Sequence, residues 1–292
     1  MLRGFSLEAH AKLNLRLEVG LLAGSLHEIV SVLAELELAD KLHFTPSTAG
    51  FQVVCERLDL AERDNLAWRA AQALGRELPC VRIVIEKNIP MQAGLGGGSA
   101  DAAGALLGLA LILSEDGVSV SHQQLVEAAL RTGSDVPSFL STGLRIVSGV
   151  GDRVERRPAQ APPWGIALLR PAVGSATARA YALLDAAGIP HNLGDLEIAF
   201  AEDMCAAYAA SDFDRFIGLL HNDFTTVIER ELPAVAHARE RLQRAGARAT
   251  ILCGSGSCVA GFFDTRAAAR KAVDGVSLRV GEWMYATGLR SD

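Results

Sequence analysis

The sequence predicts an α+β protein of two domains, and three observations support this prediction. Segments with strand-type alternation or β-branched runs are interspersed with segments of helical periodicity, which favours antiparallel or mixed sheets. The chain has 292 residues, which at about 100–200 residues per domain corresponds to two domains or one large one. Its most proline-dense stretch, 158–165, lies near the middle. We therefore expect one domain over 1–157 and a second over 158–292.

The first half begins with an alternating segment at 10–19, which predicts a half-buried strand with Lys12 and Asn14 on its polar face. Asp64 is the expected N-cap of the first helix. The further elements expected here are a strand at 28–44, a helix at 64–77, a strand at 81–87, helices from about 99 and over 121–130, a turn at 134–140 and a strand–turn–strand at 143–157.

The second half also mixes strands and helices. The expected elements are a strand at 166–170, helices at 176–187, 197–209, 213–220 and 233–245, strands at 249–253 and 257–263, a helix at 265–274 and a strand at 278–285.

The charge balance argues against a nucleic-acid partner. The chain has 28 Lys+Arg against 34 Asp+Glu, a net charge of −6, and so it offers no strong positive field for a phosphate backbone. Its five cysteines form no CxxC pair, which is typical of reduced thiols in a cytoplasmic protein. Charges at positions 3, 8 and 12 argue against a signal peptide. We expect a cytoplasmic protein.

One stretch is apolar enough to suggest a membrane helix. Between Lys87 and Glu115 the only charged residue is Asp101. Pro90 and five glycines between 94 and 104 interrupt the stretch, so we expect no continuous spanning helix.

A glycine-rich loop carries the strongest local signal. Gly94, Gly96, Gly97 and Gly98 permit positive φ and close approach of a ligand. A helix follows directly, so its free N–H groups and positive dipole end would face an anion such as the phosphates of a nucleotide. The loop lacks the GK[ST] of a Walker loop and the βαβ setting of a dinucleotide site. Alternatively, the glycines serve only the close packing of helix on sheet.

Several short motifs follow one another along the chain. Residues 89–103 read Ile-Pro-Met-Gln-Ala-Gly-Leu-Gly-Gly-Gly-Ser-Ala-Asp-Ala-Ala. The other motifs are AKLNL at 11–15, HE at 27–28, DNL at 64–66, RAA at 69–71, GSDVPSF at 133–139, GVGD at 149–152, ND at 222–223 and GSG at 254–256. Together they resemble the GHMP kinase superfamily over most of the chain.

The resemblance implies a two-domain GHMP kinase fold. The N-terminal domain would be similar to domain 2 of ribosomal protein S5, the C-terminal domain would be ferredoxin-like, and the active site would lie in the cleft between them. It implies ATP and Mg²⁺ as cofactors. The branch of the superfamily with a loop like this one phosphorylates the 2-hydroxyl of a cytidine-diphosphate-linked methylerythritol. That small molecule and ATP are the expected partners of a monomer or homodimer, with no nucleic acid and no membrane.

The resemblance implies two catalytic residues. Asp135, in the Gly-Ser-Asp-Val-Pro motif, is the expected base for the substrate hydroxyl. On the residues alone it could instead be an N-cap ahead of Pro137. Lys12 is expected to help orient the hydroxyl, although a lysine on an edge strand is commonly just solvated.

The nucleotide side of the site is also implied by the resemblance. Asn65 matches a position that contacts the nucleotide base, and the Ser99 hydroxyl would reach either a phosphate or Mg²⁺. Gly254-Ser255-Gly256 corresponds to a third motif that closes on the site, or is an ordinary hairpin turn. The expected ATP-binding residues are Asn65, Gly94, Leu95, Gly96, Gly97, Gly98 and Ser99.

The substrate side has one departure from the family pattern. Asn14, His27, Tyr181 and Asp135 match substrate positions; His27 would hydrogen-bond cytosine and Tyr181 would offer an aromatic face. Leu26 stands where the family usually has a tyrosine that stacks on cytosine. Such stacking is worth roughly 1–3 kcal/mol per base. The alternatives are therefore a GHMP kinase of another small alcohol or a non-catalytic nucleotide-binding homologue.

Overall fold

The computed structural model describes residues 3–55 and 62–291. The strands are β1 (Phe5–Ala23), β2 (Leu26–Pro46), β3 (Gln52–Cys55), β4 (Val81–Glu86), β5 (Arg145–Gly149), β6 (Arg153–Arg156), β7 (Gly165–Arg170), β8 (His221–Asn222), β9 (Ala249–Leu252), β10 (Val259–Phe263) and β11 (Trp283–Gly288). The helices are α1 (Leu66–Ala73), α2 (Gly97–Glu115), α3 (His122–Thr132), α4 (Thr177–Ala187), α5 (Asp195–Ala209), α6 (Phe213–Leu219), α7 (Phe224–Glu231), α8 (Pro233–Arg244) and α9 (Arg266–Gly275). This order confirms the α+β class.

Contacts divide the chain into two compact units. The first comprises Met1–Ala11, Leu38–Ile89 and Gly96–Ser141, and the second comprises Lys12–Glu37, Pro90–Leu95 and Thr142–Asp292. The long strands β1 and β2 therefore contribute residues to both units. The expected boundary between 157 and 158 falls inside the second unit, and the division into 1–157 and 158–292 stays a prediction.

The first unit packs helices on one end of the β1–β2 hairpin. The second half of β2 pairs antiparallel with β4, and β3 pairs parallel with β4. Helix α2 lies close to β2, because a Cβ at Gly108 would stand only 2.2 Å from the ring of Phe44. Phe44 and Leu106 are fully buried in this core. A glycine at 108 thus lets the helix approach the sheet.

Helix α2 is long and apolar enough to cross a membrane by length and composition, with a mean hydropathy of 1.4. However, 61 % of its most apolar stretch is buried within the protein, as expected of a helix in the core of a folded protein. The helix runs unbroken for 19 residues. Pro90, Gly94 and Gly96 precede it, so they do not interrupt it in the way the sequence suggested.

The second unit contains a four-stranded antiparallel sheet in the order β11-β7-β10-β9. Its hydrophobic core includes Leu169, Phe224, Leu242 and Phe263. In the same unit β5 pairs with the first half of β2 and with β6, and β8 pairs parallel with β1 at Arg16. Antiparallel and parallel pairs therefore coexist, as predicted.

Four expectations about single elements were wrong or incomplete. Helix α1 is capped by Asn65 rather than by Asp64. Asp64 lies in the preceding 3₁₀ turn, Glu62–Asp64. The final strand begins at Trp283 rather than 278, because Gly281, at φ +81°, lies in a turn. The short strands β3 and β8 and helix α7 were not predicted. Strand β1 is buried on both faces over 11–20 rather than half-buried.

Candidate active site

Helix α2 begins directly after the glycine-rich loop. Its N-cap is Gly96, at φ 72°, and no side chain caps the helix. Ala100 donates the first backbone hydrogen bond of the helix, to Gly96 O at 2.9 Å. The N–H groups of Gly97, Gly98 and Ser99 therefore have no partner within the helix. As predicted, these N–H groups and the positive end of the helix dipole lie together at the start of the helix, which is a geometry suited to anions. Binding of an anion there stays a prediction.

Close packing accounts for two of the loop glycines. A Cβ at Gly94 would lie 1.7 Å from the carbonyl oxygen of Cys253, and a Cβ at Gly97 would lie 2.9 Å from Ile89 Cγ2. Gly98 is exposed, and its nearest neighbour would be 3.3 Å away. The two interpretations of the loop thus apply to different positions: Gly94 and Gly97 are required by packing, whereas Gly98 is open to a ligand.

The glycine-rich loop is hydrogen-bonded to the hairpin between β9 and β10. This hairpin carries the Gly254-Ser255-Gly256 motif, and a Cβ at Gly254 would lie 2.9 Å from Lys12 Nζ. The motif is a hairpin turn, and it also packs against Lys12. Two backbone hydrogen bonds join the hairpin to the loop: Ser257 N to Gln92 O at 3.3 Å and Cys258 N to Ala93 O at 3.2 Å.

Lys12 and Asn14 lie side by side on β1, with exposures of 6 % and 5 %. The Lys12 ammonium donates to Asn14 Oδ1, and Asn14 Nδ2 donates to Ser31 Oγ at 2.8 Å. The backbone N–H of Lys12 donates to Leu95 O at 3.0 Å, which connects β1 to the loop. The alternative of a solvated edge-strand lysine is therefore wrong. The role of Ser31 as a hydrogen-bond partner of Asn14 was not predicted. The sequence signal that could have indicated it is a hydroxyl group within the largely apolar strand β2.

Asp135 is exposed at the start of the 3₁₀ turn Val136–Leu140. Asp135 does occupy the N-cap position of this turn, ahead of Pro137, but its side chain makes no cap hydrogen bond. Its backbone carbonyl accepts the Ser138 hydroxyl at 2.7 Å, whereas its carboxylate pairs with no residue of 3–55 or 62–291. A carboxylate without a protein partner is free to accept a proton from a substrate hydroxyl.

Asn65 has a structural role besides the predicted one. Its Oδ1 accepts the N–H of Ala67 at 2.9 Å and so caps α1. Its Nδ2 has no hydrogen-bond partner in the described part of the chain, and can donate to a nucleotide base. The neighbouring Leu66 lies beside the loop, since a Cβ at Gly98 would be 3.3 Å from Leu66 Cδ1. Asn65 is therefore near the uncapped start of α2.

His27, on β2, stacks on Tyr181, on α4, with ring centroids 5.2 Å apart and 16° between the planes. His27 Nδ1 is 2.8 Å from Gly20 O, and Nε2 is 3.3 Å from Asp185 Oδ1. Both ring nitrogens therefore have protein partners. Asp185 was not predicted, although its spacing of four from Tyr181 places both on one helix face. Leu26 is 48 % exposed.

Ser99 lies in the first turn of α2, and its hydroxyl has no hydrogen-bond partner among the residues that the structure describes. It can therefore serve a phosphate oxygen or Mg²⁺. The acidic residue nearest in sequence, Asp101, accepts a hydrogen bond from Lys87 at 2.6 Å. The Mg²⁺ ligands at this turn would therefore be the Ser99 hydroxyl and the phosphates of the nucleotide.

Two other groups of side chains have metal-binding chemistry. The groups are Glu18 with His191 and Glu197, and Glu18 with His221 and Asp223. Arg16 already pairs with the Glu18 carboxylate that both groups share. None of these residues belongs to the predicted site.

Comparison with known proteins defines the class of this fold. Residues 65–143 match the family model of the GHMP kinases N terminal domain, and residues 201–281 match that of the GHMP kinases C terminal. The two ranges lie on either side of the expected boundary at 157. The fold is that of a GHMP kinase, an enzyme that uses ATP.

Full-length relatives narrow this class. The 4-diphosphocytidyl-2-C-methyl-D-erythritol kinase of Geobacter sp. (strain M21) is 33% identical over 93% of this chain and 94% of its own length. The kinase of the same name from Syntrophotalea carbinolica is 34% identical over 94% of each chain. A crystal structure of 4-(cytidine 5'-diphospho)-2C-methyl-D-erythritol kinase matches with a TM-score of 0.76 and 29% identity, over 97% of this chain and 99% of the other. The chain belongs to the 4-diphosphocytidyl-2-C-methyl-D-erythritol kinase family of GHMP kinases.

Proposed function

We propose that this chain transfers the γ-phosphoryl group of ATP to the 2-hydroxyl of 4-diphosphocytidyl-2-C-methyl-D-erythritol. The products are the 2-phosphate and ADP, in the non-mevalonate pathway of isoprenoid precursor biosynthesis. The observation that carries the substrate is the likeness, over 93% of the chain, to a kinase of that name. The geometry supports the reaction class, because phosphoryl transfer needs mainly positioning and charge stabilisation.

The phosphates of ATP would bind at the start of α2. The N–H groups of Gly97, Gly98 and Ser99, which have no partner within the helix, are suited to phosphate oxygens. Gly94, Leu95 and Gly96 would shape the loop rather than provide the principal donors. Asn65 Nδ2 would donate to the base. Mg²⁺ would be held by the Ser99 hydroxyl and the phosphates, and would neutralise phosphate charge.

Asp135 would accept the proton of the attacking hydroxyl, since its carboxylate is exposed and has no partner among the residues that the structure describes. Lys12 would hold the hydroxyl and offset developing negative charge. Burial and the hydrogen bond to Asn14 limit the positions that the Lys12 ammonium can take. Lys12 belongs to the second compact unit and Asp135 to the first.

The cytidine end would be recognised by Asn14, His27 and Tyr181. The stack of His27 on Tyr181 supplies an aromatic surface. Both ring nitrogens of His27 already have protein partners, Gly20 O for Nδ1 and Asp185 for Nε2. For His27 to hydrogen-bond cytosine, its Nε2 would have to leave the exposed Asp185 carboxylate and bind the base instead.

A second candidate substrate is another small alcohol, because Leu26 offers no aromatic face at 48 % exposure. Release of ADP in the presence of Mg-ATP tests both proposals, with homoserine, mevalonate and galactose offered in parallel with the cytidylyl substrate. Turnover on the cytidylyl substrate alone supports the first proposal, whereas turnover on one of the others alone supports the second. Binding of ATP without turnover on any of the four contradicts the first proposal. The cytoplasmic location and the monomer or homodimer stay predictions.

A further inference from the structure

A histidine and two carboxylates converge on one point of the second compact unit. They are Glu18 on β1, His191 between α4 and α5, and Glu197 in the first turn of α5, and one ligand atom of each lies within 4.8 Å of those of the other two. Glu18 is 6 % exposed and Glu197 is 9 % exposed, whereas His191 is exposed and opens the group to solvent. We call these three residues the His191 cluster.

His191 and Glu197 are each held through one side-chain atom and present another. His191 Nδ1 donates to Ile189 O at 3.4 Å, and Glu197 Oε2 accepts the Gly194 N–H at 2.8 Å. His191 Nε2 and Glu197 Oε1 therefore remain for the interior of the cluster. Metal-binding histidines are oriented in the same way, because the second ring nitrogen donates to a carbonyl or carboxylate and directs the first at the ion.

The inward atoms are too far apart for hydrogen bonds. His191 Nε2 is 3.5 Å from Glu197 Oε1 and 4.0 Å from Glu18 Oε2, whereas an N–H···O hydrogen bond spans about 2.7–3.2 Å. The other oxygen of Glu18, Oε1, accepts from Arg16. An imidazole that donates through Nδ1 has a lone pair on Nε2, and two carboxylates repel that lone pair unless a cation lies between them.

The spacing suits a tetrahedral metal ion. Zn²⁺ binds histidine nitrogen and carboxylate oxygen at about 2.0–2.2 Å in tetrahedral geometry, in which ligand atoms lie about 3.4 Å apart. The distance of 3.5 Å meets this requirement, and the distance of 4.0 Å would have to shorten by about 0.6 Å. Octahedral Mg²⁺ needs neighbouring ligand atoms about 2.9 Å apart and prefers oxygen to imidazole.

The second group around Glu18 lacks this spacing. His221 Nε2 and Asp223 Oδ1 are 2.8 Å apart and hydrogen-bonded to each other. Asp223 Oδ2 accepts the N–H of Val19 at 2.7 Å. Both oxygens of Asp223 are thus used without an ion, and we assign no metal there.

We propose that Glu18, His191 and Glu197 bind one divalent transition-metal ion of tetrahedral preference, typified by Zn²⁺, with water as the fourth ligand. The ion would join the start of α5 to β1, at the point where the Leu21 N–H donates to His191 O at 3.1 Å. None of the three ligands takes part in the proposed phosphoryl transfer.

Two variants remove ligands in different ways. Glu197→Gln keeps a side-chain oxygen for the Gly194 N–H but replaces the carboxylate, and His191→Ala removes the imidazole. His237→Ala, at an exposed histidine of α8, is the matched control. Every protein compared, including the parent, carries Cys80→Ser, because this exposed thiol can bind Zn²⁺ by itself.

Zn²⁺ is titrated by calorimetry into each full-length protein after treatment with a chelator, at neutral pH, with and without millimolar Mg²⁺. We expect the parent to bind one Zn²⁺ and the Kd to rise about 10-fold or more in both ligand variants, with no change in His237→Ala. Zn²⁺ should also raise the melting temperature of the parent and of His237→Ala, but not that of the ligand variants. Millimolar Mg²⁺ should leave the Kd for Zn²⁺ unchanged.

Absence of Zn²⁺ binding by the parent overturns the site. Binding that either ligand variant leaves unchanged, or that His237→Ala weakens equally, overturns it too, since other surface groups then hold the ion. Displacement of Zn²⁺ by millimolar Mg²⁺ overturns the assignment of a tetrahedral transition metal. If His191→Ala does not fold, as judged by circular dichroism, the comparison of Glu197→Gln with the parent decides alone.

Discussion

The carbonyl oxygen of Cys253 lies against Gly94, where a Cβ would stand only 1.7 Å away. This contact holds the glycine-rich loop against the β9–β10 hairpin, together with the hydrogen bond that the Cys258 N–H donates to Ala93 O. The first glycine of the loop is therefore explained by backbone packing, without reference to a ligand.

The substitution Gly94→Ala should lower both stability and activity. Alanine at φ +76° is strained, and its Cβ also meets backbone that cannot move aside cheaply. The matched control is Gly117→Ala, since Gly117 has φ +80° with nothing within 4 Å of its Cβ position.

Left-handed backbone costs alanine roughly 1–2 kcal/mol at either position, and overpacking adds about 1–3 kcal/mol at Gly94 alone. Thermal unfolding should therefore show a lower melting temperature for Gly94→Ala than for Gly117→Ala, with kcat/KM reduced only in the former. Equal melting temperatures would show that the loop yields to the added methyl group.

Asp135→Asn should abolish most turnover and spare ATP binding. A positioned base contributes about 10²–10⁴-fold to such reactions. The exposed carboxylate makes no hydrogen bond or ion pair with the described residues, so its replacement should leave the fold intact. We expect kcat to fall at least about 100-fold with the Kd for ATP within 3-fold. Asp116→Asn, also an exposed aspartate of the first unit, is the control. Turnover near the wild-type level would remove Asp135 from the role of base.

Leu26→Tyr should strengthen binding of the cytidylyl substrate. Stacking of a base on an aromatic ring is worth roughly 1–3 kcal/mol, so the KM for this substrate should fall about 5-fold or more while the KM for ATP stays constant. Leu22→Tyr, at a position 59 % exposed in the same hairpin, controls for added aromatic surface. An unchanged or higher substrate KM in Leu26→Tyr would mean that the base lies elsewhere.

The stability of Asp101→Asn relative to wild type should increase with pH. The folded state holds the Asp101 proton up to a pKa of about 7, whereas the unfolded chain releases it near 3.9. Wild type therefore loses stability as the pH rises from about 4 to about 7, and levels off above it. Asparagine does not titrate, so the difference in melting temperature, variant minus wild type, should rise between pH 5 and 7.5. If the difference in melting temperature stayed constant between pH 5 and 7.5, the ionisation of Asp101 in this range would be contradicted.

Much of the fold could be predicted because its signals are local. The alternation at 10–19 placed a strand, Ser121 and Gln124 form the capping box of α3, and Gly254-Ser255-Gly256 lies in a turn between strands. The elements missed are short or depend on tertiary contacts. Strand β8 has two residues and pairs with β1 across the sequence.

The burial of β1 could not be predicted from its pattern. Lys12, Asn14, Arg16 and Glu18 alternate with leucine and valine, which locally indicates a polar, solvated face. In the structure each of these polar residues is at most 8 % exposed, because residues distant in the sequence cover that face. Polar partners such as Ser31 for Asn14, and Leu219 O for Arg16, replace the lost water.

The sequence by itself determined the α+β class, the loop with its following helix, and the family to which the motifs belong, since these depend on residue order over short spans. Only the tertiary structure decided that Lys12 is buried, that Gly94 and Gly97 are packing glycines, that His27 stacks on Tyr181, and that Lys87 joins Asp40 to Asp101. Each of these depends on atoms brought together across long stretches of chain, where the close approach of backbones and the exclusion of water set the energies.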